Sequence, residues 1–159
     1  MSNSIFTYEG ADILGQLVAG HSEYTPNMVY VEFQNGGTPP TVVPTRDGGR
    51  NYYAGLAGSP TQDYLRIPLL INAQLASTNL DNFSSNLARW MLLTGGTAGV
   101  NGLPFSAADG SQVYGFALVS APDASDASRD LVFARMYPDT PIPKVDGAEV
   151  QARWAYRFT

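Results

Sequence analysis

Period-two alternation of apolar and polar residues limits what this chain can fold into. From Val150 the side chains of Val150, Ala152, Trp154, Tyr156 and Phe158 point one way, and those of Gln151, Arg153, Ala155, Arg157 and Thr159 the other. That pattern is a strand with one buried and one wet face, and its aromatic bulk suits a pleated sheet. A terminal strand of this kind is expected to be tied into the sheet made by the rest of the chain, because left free it would expose a sticky edge.

The same period recurs upstream. Met28 to Phe33 (MVYVEF) reads as a strand between Pro26-Asn27 and Asn35-Gly36-Gly37. Asp63 to Leu75 alternates cleanly, with Pro68 marking an edge position or a bulge. Phe83 to Leu93 fits either a helix or a strand and is assigned to strand from its β surroundings. Val113 to Ala121 and Arg129 to Tyr137 form an expected hairpin around the polar turn Asp123 to Ser128. Pro138, Pro141 and Pro143 suggest an extended linker, and Asp146-Gly147 a turn into the last strand.

Two stretches break the β pattern. Glu9 to Ala19 carries Ile13, Leu14, Leu17 and Val18 at helical spacing, and Gly20 fits its stop. This helix is expected to lie on its own sheet, with a neighbouring subunit as the alternative. Thr38 to Tyr53 is rich in Pro, Gly and polar residues and reads as a long functional or partner-bound loop. The expected fold is mainly β: an antiparallel β-sandwich or jelly roll with one short N-terminal helix. Residues 1–25 form the arm and helix, and residues 26–159 the β body of a single domain.

Composition narrows the function. The 159 residues are 14% charged, against roughly 25% in an ordinary soluble domain. Lys144 is the only lysine. Lysine and glutamate are depleted in permanent interfaces while Tyr and Arg are enriched, so the surface reads as partly covered by partners. A net charge of −5 argues against nucleic acid and against anionic lipid as partners. No apolar run approaches the ~18 residues of a membrane span, and the N-terminus lacks the pattern of a secretory signal. With no Cys, disulfides, thiolate metal sites and cysteine nucleophiles are excluded.

Readable chemistry is sparse. His21 is the only histidine, so any Ser-His-Asp arrangement would need it, and it reads as a solvated loop residue. Gly95-Gly96-Thr97-Ala98-Gly99 lacks the lysine of a phosphate-binding loop. Asp123, Asp126 and Asp130 are weak candidates for calcium, with ordinary turn composition as the simpler reading. No catalytic residue, cofactor or metal site is expected. Arg50, Asn51, Tyr52 and Tyr53 suit a sugar or a subunit interface, with partial burial in the domain's own core as the simpler reading.

The order of several motifs carries a resemblance. GADILGQLVAG, then YVEFQNG, RNYYAGL with DYLRIPL, VYGFALVSAPD with DLVFARMY, and WAYRFT together resemble small structural proteins of tailed-bacteriophage virions. The resemblance implies a non-enzymatic virion component, assembled in the host cytoplasm. The expected role is a head-decoration or cement subunit, a homo-oligomer with a trimer favoured, bound to the major capsid protein or other virion proteins. A tail, neck or baseplate component and a carbohydrate-binding β-sandwich are the alternatives. The partner-binding candidates are Ile13, Leu14, Leu17 and Val18 on the helix, with Arg50, Tyr52 and Tyr53 in the loop.

Overall fold

The computed structural model describes residues 2–47, 49–56, 61–68, 70–72, 89–94, 110–144 and 153–158. In chain order the elements are β1 (Ser2–Phe6), α1 (Tyr8–Val18), β2 (Met28–Gln34), α2 (Arg50–Leu56), β3 (Gln62–Pro68), β4 (Leu70–Asn72), β5 (Arg89–Thr94), β6 (Gln112–Ser120), β7 (Leu131–Pro138), β8 (Ile142–Pro143) and β9 (Arg153–Phe158). The chain is mainly β, in line with the alternation, and the strand pairs are antiparallel. The larger sheet runs β1-β7-β6-β2-β3, with β8 also on β6; the smaller runs β4-β5-β9.

β2 is buried along its whole length because it lies inside the larger sheet and both its faces are covered. Val29 and Val31 join Val113, Phe116, Leu118 and Phe133 under Ile13 of α1. Met28 and Tyr30 join Ala117, Val119 and Val132 under Tyr53 and Leu56 of α2. Alternate residues of one strand point to opposite faces, so the two helices sit on opposite sides of the sheet. Among the described residues, each face of the larger sheet thus carries a helix.

α1 starts where Thr7 accepts a hydrogen bond from the Gly10 amide at 2.9 Å, filling one of the unpaired donors of the first turn. It stops at Gly20, whose φ of 95° few other residues tolerate. The His21 amide then reaches Gln16 and the Gly20 amide reaches Leu17, the paired bonds that close a helix C-terminus. Close packing on β7 needs Gly10: a Cβ there would lie 2.2 Å from the Phe133 carbonyl oxygen. Ile13 is buried, and Leu14 and Leu17 pack beside it. The helix therefore lies on its own sheet. Val18 is turned away and 88% exposed. Val18→Ser is expected to leave the unfolding free energy within about 0.5 kcal/mol in a urea titration, whereas a loss above about 1 kcal/mol would mean that this face is covered.

Several elements differ from expectation. The last strand, β9, pairs with β5 at the border of the smaller sheet and does not close the larger one. The segment before α1 is a strand, β1, hydrogen-bonded along β7 from Ser2↔Pro138 to Phe6↔Ala134. Ser2-Asn3-Ser4-Ile5-Phe6 lacks the regular alternation that would have revealed it, and its place is set by β7. The Thr38–Tyr53 loop ends in a second helix, α2, so the fold has more than the one helix expected. The proline linker after β7 includes β8, which pairs with the start of β6.

Pro68 ends β3, an edge strand, where a residue without an amide hydrogen costs least. The expected long strand over 63–75 falls on β3 of the larger sheet and β4 of the smaller, and residues 69 and 73–75 lie outside the described residues. β5 occupies part of the expected Phe83–Leu93 strand, residues 83–88 lying outside the described residues. The expected glycine loop at 95–102, the Asp146-Gly147 turn and residues 149–152 also lie outside them.

Candidate functional site

The face of the sheet under α2 gathers most of the described chemistry. The parity of β2 that buries Met28 and Tyr30 also puts Glu32 and Gln34 on this face. Register then sets Tyr30 beside Arg66 and Glu32 beside Tyr64 on β3. On the other side Glu32 lies opposite Gly115 of β6, and Ala117 opposite Arg135 of β7. Two charged centres result.

The first is built on Glu32, which is 0% exposed, and Arg135, which is 2% exposed. Arg135 donates to the Tyr137 hydroxyl, which in turn donates to Glu32 Oε1 at 3.1 Å. The Tyr53 hydroxyl of α2 donates to Glu32 Oε2 at 3.2 Å. The Arg135 guanidinium lies 3.7 Å from the centre of the Tyr52 ring, close enough for a cation–π contact in a dry site. Burial pushes the Glu32 carboxyl up from its ordinary 4.5, while Arg135 and the tyrosine hydroxyls pull it back. Burial also pushes the Tyr52, Tyr53, Tyr114 and Tyr137 hydroxyls up. Arg135 Nε and the Tyr114 hydroxyl are buried here without a well-aligned hydrogen bond. Gly115 makes room for the cluster: a Cβ would lie 2.2 Å from Glu32 Oε2 and 2.5 Å from Tyr137 Cε1.

The second centre is Asp130, 1% exposed. Arg66 holds it with two bonds, Nε to Oδ2 at 2.8 Å and Nη2 to Oδ1 at 2.9 Å. The Tyr30 hydroxyl also donates to Oδ2. Arg66 goes on to the carbonyls of Ala124 and Asp123, so one guanidinium ties the β6–β7 connection to β3. The planar fork of arginine suits this better than lysine would. Asn27 pins the start of the same connection, donating to the Ala121 carbonyl and accepting from the Ala121 amide.

A cavity of about 420 Å³ borders the first centre. It is lined by the segment from Thr38 to Val42 together with Tyr114, Tyr137 and Pro138. Its lining mixes proline and tyrosine with a few polar residues.

The structure separates the residues singled out in the sequence. Ile13 and Tyr53 are spent on the chain's own cores. Leu14 and Leu17 pack partly on the first core, and Tyr52 partly on the second. Val18 and Arg50 are exposed, and Arg50 donates to the Ser128 carbonyl at 3.1 Å. Asp130 is committed to Arg66, and Asp123 and Asp126 each accept from a serine two residues on. The Ser125 hydroxyl lowers the Asp123 carboxyl below its ordinary value, and the Ser128 hydroxyl does the same for Asp126. These bonds define turns. The three carboxylates are not assembled as a metal cluster among the described residues. His21 is half-exposed and 3.3 Å from Glu23.

Sequence reasoning did not pick out Glu32, Arg135 or Tyr137. The usable signal was parity. Glu32 occupies the same face of its strand as Met28 and Tyr30, and Arg135 sits inside the apolar run of β7. A charge at such a position needs a buried partner.

No known protein family, characterised protein or solved structure matches this chain.

Proposed function

We propose that this chain is a non-enzymatic structural subunit of a tailed-bacteriophage virion, one that decorates or cements the head shell. One observation carries the reading furthest. The buried charges under α2 are turned inward on one another, Arg135 through Tyr137 onto Glu32 and Arg66 onto Asp130. Such groups hold the chain's own parts in register, which suits a rigid building block. The lysine-poor composition fits a life spent against other subunits.

A shell is reinforced when one small subunit binds across several neighbours, because dissociation must then break several contacts together. Tyr8 and Val18 on α1 and Val43 in the extended segment after β2 are large exposed apolar side chains suited to such contacts. With Arg50 they form the proposed contact set. The capsid protein is the proposed partner and the virion the proposed location.

Light scattering on the purified chain, followed by co-sedimentation with heads, tests the reading. The expected result is a trimer that pellets with heads, as three-fold sites in a shell favour. A hexamer or larger ring that ignores heads would move the role to the tail or neck. A monomer whose melting temperature rises with added sugar would replace it with a carbohydrate-binding module.

A further inference from the structure

Among the described residues the larger sheet has two edge strands, β1 and β3, and they differ. The Asn35 amide donates to the Thr61 carbonyl at 2.7 Å, which sets the phase of the β2–β3 ladder. Bonded and unbonded residues alternate in an antiparallel pair, so Val29, Val31 and Phe33 carry the bonds to β3. Gln62, Tyr64, Arg66 and Pro68 then turn their backbone groups outward. Pro68 has no hydrogen to offer there, and Asp63 and Arg66 add charge, so this edge is blunted against a further strand.

β1 carries no such protection. The Thr7 amide donates to the Phe133 carbonyl at 3.2 Å, one step beyond the pair Phe6↔Ala134. By the same alternation Asn3 and Ile5 carry the bonds to β7, and Ser2, Ser4 and Phe6 turn their N–H and C=O groups to the open side. Counting across β2, β6 and β7 from the Asn35–Thr61 bond gives the same phase: Arg135 and Tyr137, opposite Ile5 and Asn3, bond on the β1 side. Pro138, without an amide hydrogen, stands opposite Ser2, where none is needed. Ser4 is exposed, and SNSIF holds neither a charge nor a proline to keep another strand away.

We propose that β1 is a strand-addition edge that pairs antiparallel with β1 of a second copy, about a two-fold axis at Ser4. The hydrogen-bond phase selects this occupant. With Ser4 opposite Ser4 of the second copy, Phe6 falls opposite Ser2, so every outward-facing residue meets another and each pair can exchange both of its bonds. No like charges meet across the axis. A two-fold pairing also closes on itself, whereas β1 laid on β3 would be open-ended and would meet Pro68. Five residues a side fall well short of the roughly 1,200 Å² of a stable free-standing interface. The contact therefore joins copies already crowded together and leaves the oligomer number to other surfaces. It needs no other protein, so it stands apart from the virion reading.

Amide exchange on the whole chain, followed by NMR, tests it. Ile5 is expected to be protected at every concentration. Ser4 and Phe6 are expected to exchange freely at about 0.02 mM protein and to slow at least about threefold at about 1 mM. Ser4→Pro removes a donor that faces away from β7, so it should keep Ile5 protected and abolish the slowing at Phe6. Ser4→Lys sets two like charges on the axis and should have the same effect, which decides the matter if the proline loosens β1. Exchange at Ser4 and Phe6 that ignores concentration would overturn the proposal, as would slowing at Phe6 that survives both variants. Slowing that appears only when heads are added would also overturn it, because the added strand would then belong to another protein.

Discussion

Gly115→Ala is expected to destabilise the protein by about 4 kcal/mol, lowering its melting temperature by about 10 °C. The added methyl group would meet Glu32 Oε2 at 2.2 Å and Tyr137 Cε1 at 2.5 Å, well inside contact distance. Neither neighbour has room to give. Tyr137 is held between Arg135 and Glu32, and Glu32 between Tyr137 and Tyr53. Moving either one breaks a hydrogen bond to the buried Glu32 carboxyl and leaves one of its oxygens without a tyrosine donor in a dry site. The control is the same substitution elsewhere. Gly15 lies inside α1, is exposed, and would place its Cβ in open space. Gly15→Ala should therefore stabilise by about 0.5–1 kcal/mol, because alanine loses less backbone freedom in a helix. Thermal melts of the two variants are expected to move in opposite directions. Equal shifts would mean that nothing crowds Gly115.

Arg66→Ala is expected to cost about 3–5 kcal/mol, and Asp130→Ala less, about 2–3 kcal/mol. The asymmetry follows from exposure. Asp130 is 1% exposed, so removing Arg66 takes both guanidinium bonds from a buried negative charge and leaves it the Tyr30 hydroxyl. Arg66 is 20% exposed, so without Asp130 its guanidinium still reaches water and the carbonyls of Asp123 and Ala124. The double variant should cost less than the sum of the two, since the second loss leaves no stranded charge. Urea titrations of the three variants check the order. A larger loss for Asp130→Ala than for Arg66→Ala would show that the desolvation argument has the wrong partner.

Much of the local structure was legible because strands and helices write their period into the chain. The apolar spacing of Ile13, Leu14 and Leu17 and the stop at Gly20 placed α1 within a residue of where it lies. Alternation placed β2, β6 and β7, and of the two readings of Pro68, edge position or bulge, β3 at the sheet edge fits the first. The β1 strand was hidden because its five residues have no strong period, and its backbone is ordered by pairing with β7. The α2 helix was hidden because Arg50–Leu56 is short, includes Gly55 and forms only against the sheet.

Local pattern was enough to establish a mainly β chain, poor in charge and free of cysteine, with a first helix that ends at Gly20. Those properties are settled by backbone sterics and by the period of the apolar residues. Tertiary packing alone brings Glu32 on β2, Gly115 on β6, Arg135 and Tyr137 on β7, and Tyr53 on α2 to one buried point. It also joins β9 to β5 and not to the larger sheet. Strand order and register are set by which pairings bury the most apolar surface while leaving each buried charge a partner. That balance runs over residues far apart in the chain, as from Glu32 to Tyr137, 105 positions on, and no local pattern records it.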